Sequence, residues 1–208
     1  MRRRLRALGE VVNKMGFQLK GRVIFFATNN IHKFNEARKV LAEYGVSVGM
    51  LRVKGSEIQS DSLEEIAKTS VVDAFRKCNL PIIVEDAGLF IQALNGFPGP
   101  YAAYAYKTIG NKGLLKLMEN VENKEAKFQS VIAYHSPESR TSTCFNGEVM
   151  GGITKEERRG KNVVFGFDPI FKPVSSDKTF AEMSILEKNR YSHRAKALRK
   201  FAEWYKHI

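Results

Sequence analysis

The sequence predicts an α/β protein, and three observations carry that reading. Short apolar runs such as Val23-Ile24-Phe25-Phe26-Ala27 and Ile82-Ile83-Val84 are strand-sized and rich in β-branched or aromatic residues. Between them lie stretches with apolar residues at helical spacing, clearest over residues 62–78. The two kinds alternate from Arg22 onward, with no repeat, low-complexity segment or linker to divide the chain.

Val23-Ile24-Phe25-Phe26-Ala27 reads as a buried strand broken by Thr28-Asn29-Asn30. A helix follows, with Phe34, Ala37, Leu41 and Tyr44 on one face and Gly45 as its stop. Residues 46–53 give a second strand. Ser62-Leu63-Glu64-Glu65 has the form of a capping box, with Ser62 as N-cap and Glu65 at the third helical position. It opens a helix whose stripe is Leu63, Ile66, Ala67, Ser70, Val71, Ala74, Phe75 and Cys78. Pro81-Ile82-Ile83-Val84 is a strand that ends in Glu85-Asp86-Ala87-Gly88, and residues 95–100 form a turn-rich loop. Residues 114–121 are helical. Residues 128–134 and 141–149 alternate around Ser136-Pro137-Glu138-Ser139, which marks a hairpin. After a polar, basic loop over 155–162, a last helix over 192–207 buries Leu198, Phe201, Ala202 and Tyr205.

With 208 residues, 43% hydrophobic and 27% charged, the chain can bury a core unaided, so disordered and fibrous classes are excluded. No apolar run approaches the ~18 residues of a membrane-spanning helix. Cys78 and Cys144 have no CxxC partner, which removes zinc-ribbon and dithiol redox chemistry and leaves two free thiols of a cytoplasmic protein. The net charge of +12 attracts polyanions without saying which. Residues 1–21 carry Arg2, Arg3, Arg4, Arg6, Lys14 and Lys20 against Glu10 alone. They lack the apolar stretch of a secretory signal and read as a basic extension ahead of one domain over 22–208, with Met15 as an alternative start.

Four constellations carry chemistry. Thr28-Asn29-Asn30-Ile31-His32-Lys33 joins a strand to a helix, where helix N–H groups attract phosphate and Lys33 adds a charge; the GxxxxGK[ST] phosphate loop is absent. Glu85-Asp86 stands at a strand end, where open α/β sheets place ligands, and offers hard oxygen donors for Mg²⁺; Glu57 is a third acid. Phe165-Gly166-Phe167-Asp168-Pro169 sets two aromatics beside a flexible glycine, a stacking face for a base. Lys188 and Ser192-His193-Arg194 make a cationic, hydrogen-bonding group near a helix start. Each has an ordinary structural reading too: a capped turn, a solvated strand end, a buried aromatic turn, a basic helix face.

Their order is more specific than any one of them. The TxNxxK turn, the upstream Glu57, the EDxG strand end, the Gly96-Phe97-Pro98-Gly99-Pro100-Tyr101 loop, FGFDPIF, Thr179-Phe180-Ala181-Glu182-Met183 and SHR resemble, in that order, the inosine triphosphate pyrophosphatase family over residues 22–208. The resemblance implies an elongated mixed β-sheet flanked by helices, in two lobes with the active-site cleft between them. It implies Mg²⁺-dependent hydrolysis of ITP, dITP and XTP to the monophosphate and pyrophosphate, in a cytoplasmic homodimer with no nucleic-acid or membrane partner. By motif position, Thr28, Asn29, Asn30, Ile31, His32 and Lys33 would hold the triphosphate, and Glu57 and Asp86 would ligate Mg²⁺. Asp86 would also act on the attacking water, and Ala87, Phe165, Gly166, Phe167, Asp168, Lys188, His193 and Arg194 would complete the nucleotide site.

Three departures stand out. Ala87 replaces the usual Ser or Thr, leaving only a backbone contact. Asn162-Val163-Val164 replaces a glycine-rich approach to the FGFD loop, and residues 1–21 lie outside the family pattern. Two other classes share parts of this profile. A basic nucleic-acid-binding module suits the charge but shows no helix-turn-helix, RNP or zinc pattern. A triphosphatase for modified pyrimidines or ordinary nucleotides differs only in the base pocket.

Overall fold

The computed structural model describes residues 22–53, 56, 58–161 and 165–208. Glu57, the extension over 1–21 and Asn162-Val163-Val164 lie outside the described residues. The elements are β1 (Arg22–Ala27), α1 (Ile31–Ala42), β2 (Val46–Leu51), α2 (Leu63–Cys78), β3 (Ile82–Ile91), β4 (Pro98–Gly99), α3 (Ala102–Thr108), α4 (Gly110–Leu117), β5 (Glu125–His135), β6 (Thr143–Ile153), β7 (Phe171–Pro173), α5 (Ile185–Tyr191) and α6 (His193–Tyr205). One mixed sheet runs β2-β1-β3-β5-β6-β7, with β4 on the free edge of β3. The expected α/β class and mixed sheet are therefore observed.

The parallel part is β2-β1-β3. The chain moves from β1 outward to β2 through α1, then back past β1 to β3 through α2. Right-handed crossovers in opposite directions put the two helices on opposite faces. Accordingly Ile24, Phe26 and Ile83 pack with Ala37, Val40 and Leu41 of α1 and Leu198 and Phe201 of α6. Ile82, Val84, Val131 and Ala133 pack with Leu63, Ala67, Val71 and Ala74 of α2. The long strands β3, β5 and β6 continue antiparallel beyond this layer. There Leu89, Ile91, Phe128, Phe167, Phe171 and Phe180 form a second core with Leu114 and Met118.

Several local expectations are revised. β3 does not end at Val84; it runs on through Glu85-Asp86-Ala87-Gly88 to Ile91, in ten consecutive pairs with β5. These residues are weak strand formers, and the partner strand overrides that preference. The capping box at Ser62 is half made. Ser62 Oγ accepts from the Glu65 N–H, but Glu65 turns to the Ser60 hydroxyl (2.7 Å), which in turn accepts from the Ser62 N–H. α4 starts at Gly110, earlier than expected, and α3 had no clear signal between its flanking glycines.

Candidate active site

On one face of the sheet the two cores are separated by a polar seam. Along β3 the inward positions read Ile83, Glu85, Ala87, Leu89, and along β5 Phe128, Ser130, Ile132. Glu85 and Ser130 interrupt both apolar series as diagonal neighbours, Ser130 standing opposite Ala87, and the Ser130 hydroxyl donates to Glu85 Oε1 at 2.7 Å. α6 brings His193 and Arg194 here. It lies close because Gly147 of β6 has no side chain; a Cβ there would sit 2.2 Å from the His193 carbonyl oxygen. Ser192 caps the helix, accepting from the Ala195 N–H.

Three cations meet three carboxylates in the seam. Arg194 bonds Glu85 Oε1 through Nε (3.0 Å) and Glu36 through Nη1. Lys188 Nζ bonds Glu36 Oε1 (2.7 Å) and Asp168 Oδ2 (2.6 Å). Lys33 Nζ bonds Glu85 Oε2 (2.8 Å). Burial alone would raise the pKa of Glu36, but Lys188 and Arg194 outweigh it and hold it at about 2. Burial also works against Glu85 ionising, yet Arg194 and Lys33 keep it well below the carboxylate range. Asp168 is raised by burial despite Lys188. Sequence reasoning missed Glu36, which grips both Lys188 and Arg194. The available signal was a glutamate inside an otherwise apolar helix face; Ser130 in an apolar strand alternation was the same kind of signal. The cluster is charge-balanced, so Lys188 and Arg194 are not spare cations, and Glu85 is buried among its partners rather than offered to a metal.

The turn after β1 is built as a cap. Asn30 Oδ1 accepts from the His32 and Lys33 N–H groups (3.0 and 3.2 Å), and the Asn30 N–H donates to Thr28 Oγ1 (3.0 Å). None of these bonds uses the Asn29 or Ile31 N–H. β1 pairs with β3 only as far as Phe26–Ile83, and β4 begins opposite Leu89. Residues 84–88 of β3 thus have no strand on that edge. Lys33 enters there, its Nζ donating to the Glu85 carbonyl at 3.3 Å. Ala87 shares the parity of Glu85, so its backbone polar groups point to the same edge.

Asp86, one residue on from Glu85, lies on the opposite, α2-facing side of β3 and is half-buried. Among the described residues there is no group of three or more His, Cys, Asp or Glu side chains placed to hold a metal. Mg²⁺ characteristically binds through one or two carboxylates plus waters and substrate phosphates, and Asp86 at an open strand edge fits that donor set.

Of the aromatic turn, Phe167 is buried and meets Tyr106 edge-on at 5.5 Å, while Phe165 is half-buried. Gly166 has φ +53°, the conformation its lack of a side chain permits, and its carbonyl accepts from Asn111 Nδ2 (3.3 Å). His32 stacks on Phe165 with ring centroids 5.4 Å apart. His193 is 2% exposed and lies flat on Phe128, 4.7 Å away and 11° from parallel. Burial, helped by Arg194, pushes its pKa well below 6.5, so the imidazole is neutral.

A pH dependence of stability follows. The folded state keeps His193 neutral while the unfolded chain takes up a proton near 6.5, so this contribution is full above that pH and falls below it. Glu36 contributes stability above its ordinary 4.5, lost as the pH falls toward about 2. The melting temperature is expected to decline in two stages on acidification from about pH 8 to 3. In His193→Asn the first stage should vanish and the second remain; melting curves across that range check it.

Residues 24–204 match the Ham1 family. The dITP/XTP pyrophosphatase of Methanopyrus kandleri is 52% identical over 183 residues, covering 88% of this chain and 96% of that protein. That of Thermococcus kodakarensis is 49% identical, covering 87% and 96%. Among solved structures, a HAM1 protein from Coxiella burnetii aligns with a TM-score of 0.77 at 29% identity, covering 90% of this chain and all of that one. The Staphylococcus aureus Ham1 protein aligns with a TM-score of 0.75 at 30% identity, covering 89% and 99%. With its seam, its capped turn and its long shared strands all inside the matched span, the chain belongs to the Ham1 family.

Proposed function

We propose that this protein hydrolyses deaminated purine nucleoside triphosphates (dITP, ITP and XTP) to the monophosphate and pyrophosphate, removing them before they enter DNA or RNA. The observation that supports the reading is convergence: Lys33 at the capped start of α1 and the Phe165, Lys188 and Arg194 side chains lie at one seam between two cores, beside the uncovered edge of β3 from which Asp86 points to the other face. The names of the relatives point the same way.

In this reading the backbone of Thr28 to Lys33 and the Lys33 ammonium, rather than the His32 imidazole, hold the triphosphate at the start of α1, where the helix dipole favours negative charge. Mg²⁺, when bound, neutralises the triphosphate and polarises the scissile phosphate; Asp86 and Glu57 would hold it. Asp86 positions a water for attack at the α-phosphorus and takes its proton as the bond to the bridging oxygen breaks and pyrophosphate leaves. Because Glu36, Glu85 and Asp168 already balance Lys33, Lys188 and Arg194, neutralisation of the triphosphate would fall mainly on the metal. The balanced cluster instead fixes the shape of the base site.

The base stacks on Phe165, and donors from His193, Arg194 or backbone N–H groups meet the C6 oxygen of hypoxanthine or xanthine. Adenine presents an amino group there, and a site built on hydrogen bonds discriminates by up to ~10⁴. Guanine shares the C6 oxygen, so its rejection falls on its 2-amino group. Exposed Phe97, Tyr101, Tyr104 and Ile109, close together in the chain, support a homodimer, for which sedimentation is the check. No helix among the described residues is long and apolar enough to cross a membrane.

Hydrolysis of dITP in ¹⁸O-labelled water tests the chemistry. The label is expected in dIMP, with one pyrophosphate and no orthophosphate per turnover. Label in pyrophosphate, or orthophosphate as product, would place the attack elsewhere and overturn the reading.

A further inference from the structure

Three groups crowd the ring of Phe165. The His32 imidazole stacks on it at 5.4 Å and 23°, and Lys188 Nζ and Arg194 Cζ stand 5.4 and 5.6 Å from its centroid. The two cations are immobile: both are buried, and Glu36 ties them to each other while Asp168 and Glu85 hold them from the far side. His32 is half-buried, and its imidazole makes no hydrogen bond or ion pair among the described residues. Rotation about two side-chain bonds moves it away. A purine reaching this ring therefore meets one neighbour that yields and two that do not.

We propose that His32 is a stand-in for the base: in the free protein its imidazole covers the stacking face of Phe165, and the purine ejects it on binding. The inference rests on the reading of Phe165 as the base platform. A purine has the larger π-face and wins the exchange. While His32 is stacked the site is not competent, so apparent affinity falls by the fraction of molecules with the ring uncovered. His32 is also the second residue of α1, its N–H held by Asn30. Base occupancy is thereby sensed at the helix start that faces the triphosphate, so one residue links the two ends of the substrate.

The chain has four histidines, His32, His135, His193 and His207, so their imidazole C–H signals are readily resolved by NMR. The His32 signal, identified by its loss in His32→Ala, is expected upfield in the free protein, and less so in Phe165→Leu. Inosine monophosphate, added to saturation without metal, should move it to the position of a solvated histidine while His193 also responds. If His193 responds but His32 stays upfield, the stand-in role is overturned and the nucleotide reading stands. If no signal responds, both fall. In steady-state kinetics His32→Ala should lower KM for dITP about twofold to tenfold, the range of one aromatic contact. A raised KM would overturn the proposal, because it is the signature of a His32 that grips phosphate or sandwiches the base.

Discussion

Glu36→Ala is expected to lower stability by about 3–5 kcal/mol, the cost of leaving buried cations without their partner. Both Lys188 and Arg194 lose a carboxylate, and neither can reach water, at 4% and 1% exposure. In a chain of this size that corresponds to a fall in melting temperature on the order of 10 °C. Turnover should fall as well, because Asp168 and Glu85 would pull the two cations apart and the face they present to Phe165 would change. Glu36→Gln keeps the shape and one acceptor, so it should be the milder variant on both counts. Thermal melts and dITP kinetics on the two variants check this. A Glu36→Ala protein that melts within about 2 °C of the wild type, less than 1 kcal/mol, would mean that the cluster contributes little.

Asp86→Asn is expected to act oppositely: a large loss of turnover with little loss of fold. The side chains are isosteric and Asp86 is half-buried, so a stability change within about 1 kcal/mol is expected. A carboxamide neither accepts the proton of the attacking water nor holds Mg²⁺ well, so kcat should drop about 10³-fold, within the range of a lost general base. EDTA should silence the wild type. Full wild-type activity in EDTA would remove the metal from the mechanism, and an active Asp86→Asn would remove Asp86.

What was legible in the sequence was local. The Asn30 and Ser62 caps, the apolar face of α1, the stripe of α2 and the β5–β6 hairpin are short-range patterns, and they stand in the structure with shifted ends. β3 past Val84 was not legible, because Glu85-Asp86-Ala87-Gly88 becomes strand only through pairing with residues 129–132. The site divided the same way. Thr28 to Lys33, Phe165 to Asp168 and His193-Arg194 form recognisable strings, and the structure gathers Lys33, Phe165, Asp168, Lys188 and Arg194 at one seam. It separates Glu85 from Asp86 onto two faces, a consequence of strand alternation once the strand continues. Glu36 escaped notice because its partners, Lys188 and Arg194, are over 150 residues away in the chain.

The central claim is that the seam selects a purine bearing a C6 oxygen and no 2-amino group. Pyrophosphate release from dITP, ITP, XTP, dUTP, ATP and GTP, measured side by side with and without Mg²⁺, tests it most directly. The account predicts Mg²⁺-dependent release with kcat/KM for dITP, ITP and XTP at least ~10²-fold above ATP, GTP and dUTP, the discrimination that one or two directional hydrogen bonds supply. Comparable kcat/KM for ATP or dUTP would contradict it, leaving a triphosphate pyrophosphohydrolase whose seam does not choose the base.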